Sequence, residues 1–227
     1  MIIYGKQLFL HLLNRYPKRI LNVFLAKECD KKLFSQIARL NVPIERLDSK
    51  KAQALARGGN HQGFLAQIEP VEFASFDVLK KEKFLVMLVG VTDVGNIGAI
   101  VRSIYAFGVD GLIISGVKQI NMEGILRTSS AAAFELPICL MQNELDTLNE
   151  LKQVGFELVA ADMSGENVKD ASFKDKKVLI MGSEGDGLNK KVLNKCDKKV
   201  SIRMKRVFDS LNVSVATAIL CDRMSNG

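Results

Sequence analysis

The chain has 227 residues, 48% of them hydrophobic, which is enough for one large or two small domains with an apolar core. Lysine and arginine number 32 against 25 aspartate and glutamate, and the formal net charge of +7 favours a polyanionic partner. Four scattered cysteines and two histidines exclude a disulfide framework and argue against a structural zinc site. No signal-peptide pattern or membrane-spanning apolar run occurs in the sequence, which predicts a cytoplasmic protein with no membrane partner.

Helical and strand-like patterns alternate through the first seventy residues. Helices are predicted over residues 8–13 and 32–40, and strands over 23–26, 42–47 and 64–68. A glycine-rich turn precedes the last of these strands, and Pro70 ends the pattern. The charged segment 71–83 is predicted to be a linker, which makes residues 1–70 a small α/β domain and residues 84–227 a second domain.

In the second domain, three strands each end in a loop with glycine or asparagine that opens a helix. These units are strand 84–91 with loop 92–98 and helix 99–107, strand 178–181 with loop 182–187 and helix 188–196, and strand 200–204 followed by a helix capped by Ser210 or Asn212. Continuous apolar runs are typical of strands buried on both faces of a parallel sheet. The fold class is therefore α/β with a largely parallel sheet, and ligands bind such sheets at the carboxyl ends of the strands.

The loop 182–187, with the sequence Gly-Ser-Glu-Gly-Asp-Gly, could suggest a dinucleotide-binding enzyme. Its glycines do not follow the order G-x-G-x-x-G, and no acidic residue ends a strand about 20 residues further on. The sequence also lacks the lysine pattern of a P-loop. A dehydrogenase or a nucleoside triphosphatase is therefore not expected.

Three segments of the second domain carry a resemblance to a known family. Residues 96–102 (NIGAIVR), 182–185 (GSEG) and 210–214 (SLNVS) resemble, in order and spacing, the three motifs of SpoU-type (TrmH-type) RNA ribose 2′-O-methyltransferases of the SPOUT class. The resemblance covers about the last two thirds of the chain. It implies a C-terminal trefoil knot, S-adenosylmethionine as the cofactor, and a homodimer paired through the knot helices.

The N-terminal domain carries a second part of this resemblance. Residues 4–6, 22–27 and 61–63 are similar to the small RNA-binding domain that precedes the catalytic domain in some SpoU enzymes. Those enzymes methylate large-subunit ribosomal RNA. The resemblance therefore implies an S-adenosylmethionine-dependent methylase acting on the ribose 2′-oxygen of a guanosine in 23S ribosomal RNA. The alternatives are methylation of transfer RNA and a non-catalytic RNA-binding or ribosome-assembly factor on the same fold.

By position, the resemblance implies catalytic roles for Arg102, Asn96, Glu184, Ser210 and Asn212. A ribose hydroxyl is a poor nucleophile at neutral pH, so the site must stabilise developing negative charge and accept a proton. Because a guanidinium stays protonated at physiological pH, we expect Arg102 to clamp phosphate and the incipient alkoxide, with the proton passing to phosphate or water. Asn96 is expected either to fix its loop or to orient Glu184 and the ribose. Glu184 is expected either to face the positive sulfonium or to anchor Arg102.

Cofactor binding is expected to use the backbone of glycine-containing loops, which can approach the adenine closely. The residues that the resemblance implies for this role are Gly182, Ile202, Met204, Leu211 and Asn212. No metal site is expected.

A basic cluster follows the last predicted strand and departs from the family pattern. Arg203, Lys205 and Arg206 are expected to bind RNA phosphate. Val94 and Arg203 stand where the family usually has proline, and Arg206 stands where glycine is usual. A positive φ at residue 206 would cost an arginine about 1–2 kcal/mol, which would weaken the cofactor loop.

Overall fold

The computed structural model describes residues 1–206 and 210–226. The strands in this part of the chain are β1 Ile2–Tyr4, β2 Ile20–Leu25, β3 Ile44–Arg46, β4 Phe64–Ile68, β5 Phe84–Val89, β6 Gly111–Ser115, β7 Ile138–Met141, β8 Glu157–Asn167, β9 Lys177–Met181 and β10 Lys198–Ser201. The α-helices are α1 Lys6–Arg15, α2 Lys31–Ala38, α3 Ser49–Leu55, α4 Phe76–Leu79, α5 Val94–Ala106, α6 Met122–Thr128, α7 Glu144–Gln153, α8 Lys190–Lys195 and α9 Val213–Asn226.

The first four strands form a mixed sheet in the order β1-β4-β2-β3. Strand β4 is antiparallel to β1 and β2, while β3 runs parallel to β2 at the edge. Its core includes Phe9 and Leu12 of α1 and Ile37 of α2, all fully buried. The predicted helices and strands of this region are present, and the structure adds β1 and α3. Both are short, and α3 begins where Asp48 Oδ1 accepts a hydrogen bond from the backbone N–H of Lys51 at 2.7 Å.

The second sheet has six parallel strands in the order β10-β8-β9-β5-β6-β7, and it confirms the predicted α/β class. Every residue of β5 is buried, as its continuous apolar sequence predicts for a strand covered on both faces. Helices α5, α6 and α9 cover one face, and α4, α7 and α8 cover the other. After β5, the chain places β6 and then β7 on one side of that strand. It later places β9 on the other side of β5. The topological switch point, where α/β sheets bind ligands, therefore lies between β5 and β9.

Helix α5 begins at Val94, so the prediction of a loop over residues 92–98 is wrong for its last five residues. Asp93 caps the helix, because its Oδ1 accepts a hydrogen bond from the backbone N–H of Asn96 at 2.7 Å. A Cβ on Gly98 would lie 1.8 Å from Thr128 Oγ1, so only glycine lets α5 pack this closely on α6. Thr128 Oγ1 donates to the carbonyl oxygen of Val94 at 3.0 Å, which fixes the start of α5.

The first sheet is seated on α6 and the turn that follows it. The Arg127 guanidinium lies 4.7 Å from the ring centroid of Tyr4 and also donates a hydrogen bond to its hydroxyl. Tyr16 donates a hydrogen bond to Glu135, and burial together with this carboxylate raises the pKa of Tyr16 to about 12. Aromatic, cationic and carboxylate contacts thus join the first sheet and α1 to α6 and the turn after it.

Residues 71–83, the predicted linker, are packed against the second sheet over much of their length. They contain α4, and its Leu79 is fully buried in the core on that side of the sheet. The backbone N–H of Ala74 donates to the carbonyl oxygen of Ile138 at 2.8 Å. Leu79 is followed by four charged residues and preceded by the exposed Val78, so no sequence pattern indicates that it is buried.

Asp197 holds the start of β10 against β8. Its carboxylate accepts the backbone N–H of Leu158 at 2.9 Å and pairs with Lys152 Nζ at 2.7 Å. Burial disfavours the ionised carboxylate, but the hydrogen bonds from Lys152 and Leu158 outweigh burial and lower the pKa of Asp197.

Because this pKa is lowered on folding, the pair contributes stability above the unfolded pKa of about 3.9 and loses it as the pH falls further. Asp197→Asn keeps an acceptor for Leu158 but removes the charge, so we expect it to lower the free energy of unfolding at pH 7 by up to about 1 kcal/mol. In urea titrations the difference from the wild type should shrink as the pH falls below the unfolded pKa and should vanish once the pH is below the lowered pKa of Asp197. Lys152→Gln should show the same pH dependence, and an undiminished difference at low pH would contradict the assignment.

Candidate functional site

The loops at the carboxyl ends of β9 and β10 meet the first turn of α5, which follows β5, through three side chains that lie far apart in the sequence. Asn96 Nδ2 donates to Glu184 Oε1 at 3.2 Å, and Asn212 Nδ2 donates to the same oxygen at 2.7 Å. Asn212 Nδ2 also lies 3.0 Å from Asn96 Oδ1. We call Asn96, Glu184 and Asn212 the amide–carboxylate triad; it brings one residue from each of the three sequence motifs into a single network.

The third motif joins the triad through both its side chain and its backbone. Asn212 Oδ1 accepts a hydrogen bond from the backbone N–H of Ser214 at 2.9 Å, so Asn212 caps α9. Asn212 is one of the two residues that the sequence predicts for this cap. The backbone N–H of Val213 points back to Glu184 Oε1 at 3.3 Å. Ser210 makes no hydrogen bond with another described residue, so it does not act as the cap in this structure. Residues 207–209, which precede Ser210, lie outside the described part of the chain.

Glu184 is positioned by a tight glycine loop. A Cβ on Gly182 would lie 2.3 Å from the backbone carbon of Gly187, a contact that only glycine avoids. Gly185 and Gly187 have φ values of 96° and 64°, in the region that favours glycine. The loop therefore depends on its glycines to fold back on itself, and its apex presents Glu184 to the two asparagines.

Arg102 lies on the same helix as Asn96, six residues later, and its side chain is exposed. It forms no ion pair or hydrogen bond with any residue in the described ranges 1–206 and 210–226. Of the two roles expected for Glu184, anchoring Arg102 is therefore not seen here, and the carboxylate binds the two asparagines instead. The expected use of Asn96 to orient Glu184 is present.

The residues expected at the cofactor lie beside the triad in sequence. Strand β10 ends at Ser201, three residues earlier than predicted, so Ile202 and Met204 belong to the loop at its carboxyl end. Among the described residues, the backbones of Ile202, Met204 and Leu211 take part in no hydrogen bond with one another or with the rest. Backbone N–H and C=O groups in such loops are suited to bind the edges of an adenine.

The basic cluster Arg203, Lys205 and Arg206 is exposed just beyond β10. Among described residues other than glycine, positive φ occurs at Asn41, Arg57, Gln62, Ser130 and Ala131. Arg206 is not one of them, so the strain expected from an arginine at a glycine position is absent. Val94 also stands where the family usually has proline. It is the first residue of α5, a position where proline is favoured but not required.

A cavity of about 430 Å³ opens beside the start of α5. Its lining residues are Thr92, Val94, Ile97, Gln119, Ile120 and Asn121. Apolar side chains with a few polar groups at the rim are typical of small-molecule and nucleobase sites. No sequence motif had indicated this cavity, since residues 119–121 belong to the loop after β6 and match none of the three motifs.

Two further observations concern the described residues as a whole. None of their helices combines the length and the apolar character needed to cross a bilayer. Within the same ranges, no three His, Cys, Asp or Glu side chains are grouped so that they could hold a metal ion.

Comparison with known proteins gives two family matches that together span most of the chain. Residues 83–222 match the SpoU rRNA methylase family, and residues 2–74 match the domain described as RNA 2′-O ribose methyltransferase substrate binding. A solved structure, the SpoU methyltransferase AviRb from Streptomyces viridochromogenes in complex with AdoMet, has a TM-score of 0.77 with 23% identity. That alignment covers 98% of this chain and 88% of AviRb, so the two proteins share their fold.

Relatives with higher identity extend over nearly the same length. The chain is 32% identical to the 23S rRNA (guanosine-2′-O-)-methyltransferase RlmB of Haemophilus ducreyi, over 96% of this chain and 94% of that protein. It is 33% identical to an uncharacterised tRNA/rRNA methyltransferase of Mycobacterium avium, over 92% of this chain and 71% of that protein. Since a family match covers more than half of the sequence and relatives of this identity cover nearly all of it, the chain belongs to the SpoU rRNA methylase family and is an RNA methyltransferase.

Proposed function

We propose that the protein transfers a methyl group from S-adenosylmethionine to the ribose 2′-oxygen of a guanosine in 23S ribosomal RNA. The observation that carries the proposal is the amide–carboxylate triad, which joins the three motif loops at the carboxyl ends of the parallel strands. The relative from Haemophilus ducreyi, similar over nearly its whole length, is named for this reaction on 23S ribosomal RNA.

The loops at the triad fit the cofactor by the chemistry of their donors and acceptors. The AviRb structure of the same fold is described as a complex with AdoMet. In this chain the backbones of Gly182, Ile202, Met204 and Leu211 would bind the adenine, and Asn212 would fix the loop between them. Bound there, S-adenosylmethionine supplies an electrophilic methyl group on a positively charged sulfonium. The exposed carboxylate of Glu184 provides a negative charge on the same side of the sheet.

In this proposal, the residues that contact the RNA stabilise the charge that develops during the reaction. Arg102 is exposed and unpaired among the described residues, so its guanidinium is available to bind phosphate and to stabilise the alkoxide that develops on the ribose oxygen. The proton passes to a phosphate or to water. Asn96 orients the ribose from the triad, and Ser210 lies exposed at the start of the third motif, within the same loop as Leu211.

RNA binding is divided between the two halves of the chain in this proposal. Residues 1–70 bind the RNA, residues 84–227 carry the reaction, and residues 71–83 connect them. Arg203, Lys205 and Arg206, exposed beside the triad, bind phosphates next to the target nucleotide. The cavity beside α5, which is lined by three apolar and three polar residues, offers both packing surface and hydrogen-bonding groups to a nucleobase.

The proposal includes the assembly and setting that are usual for the family. The trefoil knot is expected in the C-terminal half, with a homodimer formed through its helices. Tyr105 of α5 and Val215 of α9 expose 44% and 48% of their surfaces on two helices that pack together, which suits a dimer interface. A ribosomal RNA substrate also places the protein in the cytoplasm.

The proposal is tested by calorimetric titration with S-adenosylmethionine, followed by transfer of labelled methyl groups to unmodified 23S ribosomal RNA and to transfer RNA. We expect micromolar cofactor binding and 2′-O-methylguanosine in digests of the 23S transcript. Arg206→Gly should bind the cofactor as the wild type does, because Arg206 carries no backbone strain. Absence of cofactor binding in both proteins would favour a non-catalytic RNA-binding factor, and label only in transfer RNA would identify the alternative substrate.

A further inference from the structure

The net positive charge of the protein belongs entirely to its first seventy residues. Residues 1–70 contain 12 lysines and arginines but only 5 aspartates and glutamates, whereas residues 71–227 contain 20 of each. The attraction of a polyanion is therefore concentrated in the first sheet and its helices. A search for RNA contacts beyond the catalytic site accordingly begins there.

Within this basic region, one aromatic side chain is exposed on a helix whose other large apolar residues are buried. Phe34 on α2 is 40% exposed, while Leu33 and Ile37 of the same helix face the core. The guanidinium of Arg46 lies 5.9 Å from the Phe34 ring centroid. Its Nη1 is held by a hydrogen bond to the carbonyl oxygen of Lys27 at 3.3 Å. An exposed aromatic ring beside a fixed arginine offers two planar groups on which an unpaired base can stack.

Two exposed lysines are close to this pair in the chain. Lys31 lies one helical turn before Phe34, and Lys27 contacts Arg46 through its backbone carbonyl while the start of its side chain lies against Gly63. Neither lysine forms an ion pair with a described residue. Of the neighbouring carboxylates, Asp30 caps α2 and Glu45 accepts a hydrogen bond from the side-chain amide of Asn22, while Glu28 is exposed and pairs with no cation among the described residues. The cations around Phe34 are therefore available to phosphate groups.

We propose that Phe34 and Arg46 form a stacking platform for an unpaired base of the RNA substrate, with Lys27 and Lys31 binding the adjacent phosphates. The inference rests on the proposed function and extends it to a second contact on the same RNA. Strand β3, which carries Arg46, is at the opposite edge of the first sheet from β1, which meets the catalytic half. Three strand spacings separate these edges by about 14 Å, so the platform holds a nucleotide other than the methylated one.

The test measures binding of two fluorescein-labelled RNAs, a single-stranded 20-mer and a duplex of the same length, by anisotropy at several salt concentrations. Phe34→Ala should weaken single-strand binding by about tenfold and leave duplex binding unchanged, since stacking on an aromatic ring needs an unpaired base. Phe34→Leu should behave like the alanine variant because it lacks the planar ring. Lys31→Gln should lower the salt dependence of log K by about one, whereas Phe34→Ala should not.

Phe73 provides the matched control, because it is 41% exposed but lies beside Glu72 in the segment after the first sheet, which carries no net charge. Phe73→Ala should bind both RNAs as the wild type does, and thermal unfolding should confirm that all variants are folded. Equal single-strand affinity of Phe34→Ala and the wild type would overturn the platform, as would an equal loss for the duplex. Cofactor titration of the wild type separates the two ideas: its failure would refute the methyl transfer and leave the RNA result standing.

Discussion

Arg102→Ala is expected to lower kcat for RNA methylation by about 10²–10³, while the affinity for S-adenosylmethionine stays unchanged. The expectation follows from where the side chain lies. Arg102 is exposed and makes no contact with the triad, so its removal costs neither the fold nor the loops of the cofactor site. What is lost is a fixed positive charge beside the developing alkoxide and the RNA phosphate. Single-turnover methylation of the 23S transcript, paired with calorimetry, measures both quantities.

Arg102→Lys is the control that keeps the positive charge but removes the planar guanidinium group. It should recover part of the rate, because an ammonium still stabilises negative charge but cannot bind phosphate through two parallel N–H groups. Equal loss of rate and cofactor affinity in Arg102→Ala would place the arginine in the cofactor site instead. An unchanged rate would remove it from the mechanism altogether.

Glu184→Ala is expected to weaken cofactor binding and turnover together, each by about 10²-fold or more. One carboxylate oxygen accepts three hydrogen bonds, from the side chains of Asn96 and Asn212 and from the backbone N–H of Val213. Each such bond contributes about 1 kcal/mol, and bonds that share an acceptor are lost as a group. Without the acceptor, the loop after β9 and the start of α9 are no longer tied to α5.

Glu184→Gln separates hydrogen bonding from charge. A glutamine can still present its oxygen to the same three donors, so near-normal binding would mean that Glu184 acts by joining the loops. A loss as large as that of the alanine variant would mean that its negative charge is required by the sulfonium. Asp186→Ala is the matched control, since Asp186 is an exposed carboxylate in the same loop with no hydrogen bond to a described residue. It should leave both measurements unchanged.

The sequence is most informative where burial is continuous and least where structure depends on distant contacts. The apolar runs of β5 and β9 correctly predicted a parallel sheet. The start of α5 was missed, because Val-Gly-Asn-Ile-Gly has no helical periodicity and is helical only through its Asp93 cap and its packing on Thr128. Local pattern does not report such stabilisation.

The candidate site was predicted through the family motifs rather than through spacing. Asn96 lies 88 residues from Glu184 and 116 from Asn212, so no local pattern links them. Once the strands are paired, their carboxyl ends bring these side chains within hydrogen-bond distance. The seating of the first sheet on α6 had no sequence signal, because it depends on isolated pairs such as Tyr4 with Arg127.

The contact between the first sheet and α6 limits how the two halves of the chain can be exchanged between relatives. Arg127 contacts the first sheet and the next residue, Thr128, contacts α5 at Gly98. The short helix α6 therefore packs against the first sheet on one side and against α5, which carries Asn96 and Arg102, on the other. In a chimera that exchanges the first seventy residues for those of a relative, α6 would have to travel with them. A graft of the first sheet should therefore include α6, which belongs to the catalytic half. A graft that ends in the connecting segment 71–83 would leave this helix behind.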